Sequence, residues 1–161
     1  MRSAAQELLR TPTEHPGLLV QRQVAEGVEL IAGVMQDEVF GPLVMVGYGG
    51  TYTELIDDRS FRLTPLSRAD AAAALGELRT APLLSGYRGA PRLDTAAVER
   101  LLVCLGRLAD DVPEVAEIDL NPVIVHERGV SVVDAKVRLR PLPQAPDPDL
   151  RNMRPPAGDG S

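Results

Sequence analysis

The chain has 161 residues, 44% hydrophobic but only 3% aromatic and without Trp, enough for one domain whose core must be built from Val, Leu, Ile and Ala. A net charge of −6 with scattered Arg excludes a nucleic-acid binder working through clustered cations, although a metal ion or backbone N–H groups could still hold an anionic nucleotide. No apolar run reaches the roughly 18 residues of a membrane span, the first nine residues lack a signal-peptide stretch, and the single Cys104 permits no internal disulfide, so a soluble cytoplasmic protein without nucleic-acid or membrane partners is expected.

Residues 3–10 read as a short helix, followed by breaks at Thr11-Pro12 and His15-Pro16-Gly17. Residues 18–20 begin a first strand, residues 28–35 a second and residues 43–46 a third. The loops between them are short, so antiparallel pairing is expected. Gly47-Tyr48-Gly49-Gly50 follows, then residues 53–56, a turn at Asp57-Asp58 and a strand at residues 61–63. Ser67 is a good N-cap, with Asp70 in the first turn of a helix running towards Leu78. A loop over residues 81–91 contains Gly86-Tyr87-Arg88-Gly89. Asp94 caps a second helix in which Val98, Leu101, Leu102, Leu105 and Leu108 keep helical spacing, ended by Pro113. Cys104 falls within this apolar pattern and is expected to pack inertly in the core.

Residues 115–120, 123–125 and 130–137 read as the last strands, with Glu127-Arg128-Gly129 as a hairpin turn. From Pro141 onward Pro and Gly recur and an extended tail is expected. The pattern gives an α+β architecture: a mainly antiparallel sheet with two principal helices.

Glu117, Asp119 and Asn121 alternate along a predicted strand, so their side chains share one face. Asp134 lies in the next strand and can sit across from them, with Lys136 on the same side. Oxygen donors grouped in this way suit Mg²⁺, which takes one or two carboxylates and completes its shell with phosphate and water. The polar face of a half-exposed strand carries the same residue types, and Asn-Pro also marks turns. Gly49 and Gly50 could let backbone approach a phosphate, or simply form a tight turn. Their spacing matches neither a Walker loop nor a Rossmann fingerprint. Gln21, within Gln21-Arg22-Gln23, lies beside backbone that could pair with an adenine edge; a solvated edge strand reads the same way. Glu29 is a lone acid among Val28, Leu30 and Ile31, and it either serves a ligand or faces water.

The order of these segments carries a resemblance. Leu19-Val20-Gln21, Gly27-Val28-Glu29-Leu30, Phe40-Gly41-Pro42 and Gly47-Tyr48-Gly49-Gly50-Thr51 come first. Phe61-Arg62-Leu63-Thr64-Pro65-Leu66, Leu83-Leu84-Ser85-Gly86-Tyr87-Arg88-Gly89, Glu117-Ile118-Asp119-Leu120-Asn121-Pro122 and Val133-Asp134-Ala135-Lys136 follow. Together they resemble the C-terminal part of the ATP-grasp domain of ADP-forming acyl-CoA synthetases and the related protein lysine acetyltransferases. Succinyl-CoA synthetase beta subunits are more distantly similar. The resemblance implies an ATP-grasp domain over residues 18–140, between an N-terminal helix and linker (1–17) and a Pro-rich tail (141–161).

The resemblance further implies ATP/ADP and Mg²⁺ as cofactors, with Asp119, Asn121 and Asp134 as metal ligands and Gln21, Glu29, Gly49 and Gly50 lining the nucleotide pocket. In the synthetases, acyl-CoA, phosphate and ADP interconvert with acid, CoA and ATP through a phosphohistidine. The family's N-terminal lobe, with its phosphate-binding Lys and its His-Lys motif, has no match here. His15 and His126 lie outside such a motif and are expected at the surface. A partner or further domains would supply that lobe and the CoA-binding domains, so the expectation is a gene fragment, a misplaced start or a split subunit. A working part of a ligase, a catalytically inactive nucleotide-binding or regulatory module, and a remnant all stay open at this point.

Overall fold

The computed structural model describes residues 5–7, 9, 18, 20–50 and 56–141. Of the expected first helix, residues 5–7 are helical and the Leu9 N–H donates to the Ala5 carbonyl (3.0 Å); the rest lies outside the described residues, as do residues 53–55 and the tail from 142. Among the described residues no helix is long and apolar enough to cross a membrane.

Six antiparallel strands form the sheet. They are β1 (Val28–Asp37), β2 (Gly41–Tyr48), β3 (Arg59–Leu63), β4 (Val115–Val125), β5 (Val130–Val132) and β6 (Ala135–Leu139), in the order β3-β2-β1-β4-β5, with β6 also on β4. Of the expected strand at residues 18–20, Leu18 and Val20 are exposed and outside any strand, Leu19 lies outside the described residues, and no ladder is formed before Val28 among the described residues. The two strands expected over 115–125 are one strand. Leu30 pairs with Val123 and Ala32 with Leu120, so β4 has an extra residue at Asn121-Pro122, a β-bulge. Pro lacks the ladder N–H and is confined to such places. The partner responds by splitting, so the strand expected over 130–137 divides into β5 and β6. Val133 and Asp134 bridge them, the Val133 N–H donating to the Pro122 carbonyl (3.0 Å) and the Asn121 N–H to the Asp134 carbonyl (3.3 Å).

Helices α1 (Arg68–Gly76) and α2 (Thr95–Asp111) begin where their caps dictate. The Asp70 N–H donates to the Ser67 hydroxyl while the Ser67 N–H donates to the Asp70 carboxylate, a reciprocal capping box. The Asp94 carboxylate accepts from the Ala97 N–H at the start of α2. It also accepts from the Gly129 N–H at 2.9 Å, tying the helix to the β4–β5 turn. The Gly129 amide first, then the Ala97 amide, hold the Asp94 carboxyl below its ordinary pKa. Helix α1 ends at Gly76, two residues before the expected Leu78. The loop after it holds two short 3₁₀ segments, Ala81–Ser85 and Tyr87–Gly89.

Both helices cover one face of the sheet. Leu30, Ala32, Val34, Val44, Val46, Ile118, Leu120, Val123 and Val125 meet Ala71, Leu75, Val98, Leu102 and Leu105 in one apolar cluster. Cys104 is exposed, which corrects the expectation of core packing. The buried stripe of α2 runs through Val98, Leu102, Leu105 and Ala109, and Cys104 lies on the other side of that helix. On the opposite face of the sheet, alternation leaves Met35, Phe61 and Leu63 exposed.

Between β2 and β3, Asp57 of the expected turn has φ +44°. Asp58 is buried beneath it. Its carboxylate accepts from the Arg79 N–H (2.9 Å), the Thr80 N–H (2.9 Å) and the Thr80 hydroxyl (2.6 Å). Burial pushes this carboxyl up, but the Thr80 hydroxyl, the two amides and the Arg79 charge together hold it below its ordinary pKa.

Candidate functional site

Apart from Gln21, the residues singled out in the sequence fall into two groups on the sheet face left uncovered by the helices. The first surrounds β4. Ile118 and Leu120 point into the core while Glu117, Asp119 and Asn121 point away, the last two on a strand held in place by β1 and β6 on either side. β6 adds two cations in register: Arg138 is opposite Glu117 and Lys136 opposite Asp119. Arg138 Nε donates to Glu117 Oε2 at 3.0 Å, so Glu117 is already matched. The Asn121 N–H bond to the Asp134 carbonyl places these two residues side by side. One Asp134 carboxylate oxygen accepts from the Ala135 N–H (2.9 Å). The side chains of Asp119 and Asn121 make no hydrogen bond or ion pair among the described residues.

Among the described residues no three His, Cys, Asp or Glu side chains come close enough together to hold a metal. The set here is of a different kind: two carboxylates and one amide oxygen on neighbouring residues, Asn121 and Asp134 exposed and Asp119 half-buried, largely unsatisfied among the described residues. This all-oxygen, partly open set fits Mg²⁺, which keeps several waters or phosphate oxygens in its octahedral shell.

The second group lies at the end of β1. The Gly49 N–H donates to the Glu29 carbonyl at 2.8 Å, and a Cβ on Gly49 would lie 2.9 Å from the Glu29 carbonyl carbon, so only Gly permits this approach. Gly50 follows at φ +93°, and its Cβ position would be 3.4 Å from Glu29 Oε2. Glu29, Gly49 and Gly50 therefore form one corner. Glu29 and Gly33, the β1 partner of Asp119, are four residues apart, which puts the two groups roughly 13 Å from each other along the strand. Gln21 is exposed in the irregular stretch before β1, with no hydrogen bond to either group among the described residues.

Between β3 and β4 the same face holds a depression of about 220 Å³ lined by Gly33, Met45, Arg59, Phe61 and Asp119. Sequence reasoning missed Met45, Arg59 and Phe61. Alternation within β2 and β3 could have grouped them, but only the register across three strands brings them to Asp119. Arg59 is held by Asp57 (Nε–Oδ1 3.2 Å). A larger hollow of about 570 Å³, lined by Val28, Leu83, Pro91, Leu93 and His126, includes none of the expected site residues. His126 lies beside the turn as expected but is half-buried, its Nε2 3.0 Å from Ser131 Oγ. His15 lies outside the described residues.

A family model of the ATP-grasp domain matches residues 1–139. The chain belongs to the ATP-grasp family. Over 123 residues it is 44% identical to an ADP-forming acetate–CoA ligase of Archaeoglobus fulgidus, covering 76% of this chain and 18% of the relative. It is 37% identical to the beta subunit of such a ligase from Pyrococcus furiosus, covering 76% of this chain and 53% of the subunit. Among solved structures it is similar to acetyl-coenzyme A synthetase 1 of Ca. Korarchaeum cryptofilum in complex with coenzyme A and Mg-AMPPCP. That likeness has TM-score 0.71 and 45% identity, covering 73% of this chain and 55% of the other. This ATP-grasp chain thus spans about a fifth of the Archaeoglobus relative and about half of the Pyrococcus subunit. Its antiparallel sheet backed by helices is the fold that the resemblance led one to expect.

Proposed function

We propose that this ATP-grasp chain is the nucleotide- and Mg²⁺-binding part of an ADP-forming acyl-CoA ligase. It contributes to ATP-dependent acyl-CoA formation together with a second lobe and CoA-binding domains. What supports this reading is the Asn121 N–H bond to the Asp134 carbonyl, which sets the β5–β6 bridge beside β4 two residues after Asp119. Asp119 and Asp134 would supply carboxylate oxygens to the metal and Asn121 its amide oxygen. Bound there, Mg²⁺ would offset phosphate charge and hold phosphate oxygens for in-line transfer. Glu29, with Gly49 and Gly50, would line the other end of the nucleotide, where the glycines give backbone close access. Gln21 would sit near the adenine.

This face supplies only one side of a clamp, so phosphate contacts from the other side are not made by the described residues. Calorimetry of the chain alone with MgATP is therefore expected to give a dissociation constant in the millimolar range or weaker. A micromolar constant would show that these residues form a complete site.

A further inference from the structure

We infer that Lys136 is a phosphate-contacting residue of this site: opposite Asp119 on the β4–β6 ladder and unpaired among the described residues, its ammonium reaches the terminal phosphates of the nucleotide once metal is bound. The inference rests on the metal reading above. Lys136 and Asp119 are direct partners in the β4–β6 ladder. Side chains opposite one another in an antiparallel pair share a face, with Cβ atoms about 5 Å apart. The neighbouring cross-strand pair on this face is closed, with Arg138 bound to Glu117 at 3.0 Å. Lys136 is different: it makes no ion pair and no hydrogen bond among the described residues, and it is exposed. Its four-carbon stem can carry the ammonium from Asp119 towards a neighbouring anion.

Charge explains why an unpaired cation belongs at a cation site. Asp119 and Asp134 would neutralise one Mg²⁺, leaving the corner with no net attraction for a phosphoanion. Lys136 adds one positive charge, at the expense of repelling the bare metal. It should therefore weaken Mg²⁺ binding alone and strengthen binding of the diphosphate to the Mg²⁺-loaded chain. A lysine that merely decorates a solvated strand would do neither.

The test is an NMR titration of the isotopically labelled full chain, following the Asn121 side-chain amide and the Asp119 and Asp134 backbone amides. MgCl₂ is added first, then ADP at saturating Mg²⁺, for wild type, Lys136→Met and Lys136→Arg. Lys136→Met is expected to bind Mg²⁺ about threefold more tightly and ADP about threefold more weakly, the size of a screened unit charge at this range. Lys136→Arg should stay close to wild type in both. If Mg²⁺ shifts these resonances but ADP binds Lys136→Met as it binds wild type, the Lys136 inference is overturned and the metal reading stands. If Mg²⁺ does not shift them in wild type, the metal reading falls and the inference with it.

Discussion

The two faces of the sheet obey different rules. Towards the helices, Leu30, Ala32 and Val34 of β1, Val44 and Val46 of β2, and Ile118, Leu120, Val123 and Val125 of β4 are buried aliphatics, and Val98, Leu102 and Leu105 of α2 close over them. On the other face, the residues between those aliphatics include Glu29, Glu117, Asp119 and Asn121, with exposed Met35, Phe61 and Leu63 beside them. One face is where burial stabilises the fold. The other leaves unsatisfied oxygens and apolar surface available, which is what a binding face needs and what stability alone would not select. Strand alternation thus lets one set of hydrogen bonds serve both purposes.

If that division is right, substitutions on the two faces should have unequal costs. Leu102→Ala, at 1% exposure in the centre of the cluster, is expected to lower the unfolding free energy by about 2–5 kcal/mol. Phe61→Ser, at 45% exposure on the open face, should change it by less than about 0.5 kcal/mol. Urea denaturation of both variants measures the contrast, and equal losses would mean that the open face is packed against something after all.

A smaller effect is expected at Asp58, the buried acid at the edge of this division. Asp58→Asn leaves donors of Arg79 and Thr80 poorly matched and should cost about 1–3 kcal/mol at pH 6. The folded-state pKa lies below the ordinary 3.8, so the stabilisation by the carboxylate is fully present above that value and is lost as pH falls through the lower folded value. The gap between wild type and Asp58→Asn should therefore be constant from pH 6 to about 5 and narrow below 3.8; a gap that widens in acid would reverse the assignment. The smallest effect is expected at Cys104. A thiol reagent should label it stoichiometrically in the folded chain, and Cys104→Ser should shift stability by less than about 0.5 kcal/mol. Protection from the reagent until unfolding would restore the core placement.

What could be read from the sequence was local. Ser67 with Asp70, and Asp94, mark helix starts because their side chains bond backbone N–H groups three residues away. Alternation alone put Glu117, Asp119 and Asn121 on one face, and the structure agrees. What could not be read depends on pairing between distant segments. Nothing local announces that Asn121-Pro122 is a bulge within one strand, or that the bulge divides residues 130–137 into β5 and β6. Nor does local sequence tell that Leu18 and Val20 lack a ladder partner among the described residues. Leu18 and Val20 have strand-like composition, but a strand needs a neighbour, and none is formed among the described residues. Cys104 is apolar and lies within α2, but at about 100° per residue it falls on the side away from Leu102 and Leu105, so composition alone does not place it in the stripe.

Asp119, Asn121 and Asp134 are proposed to form a divalent-cation site on the uncovered face. Mn²⁺ takes the same oxygen-rich octahedral shell as Mg²⁺ and broadens NMR signals near it. Titrated into the labelled chain at substoichiometric amounts, it should erase the resonances of Asp119, Asn121 and Asp134 first, be displaced by excess Mg²⁺, and lose this selectivity in Asp119→Asn. Broadening that begins instead at Glu26 and Glu127, or that is unchanged in Asp119→Asn, would contradict the account.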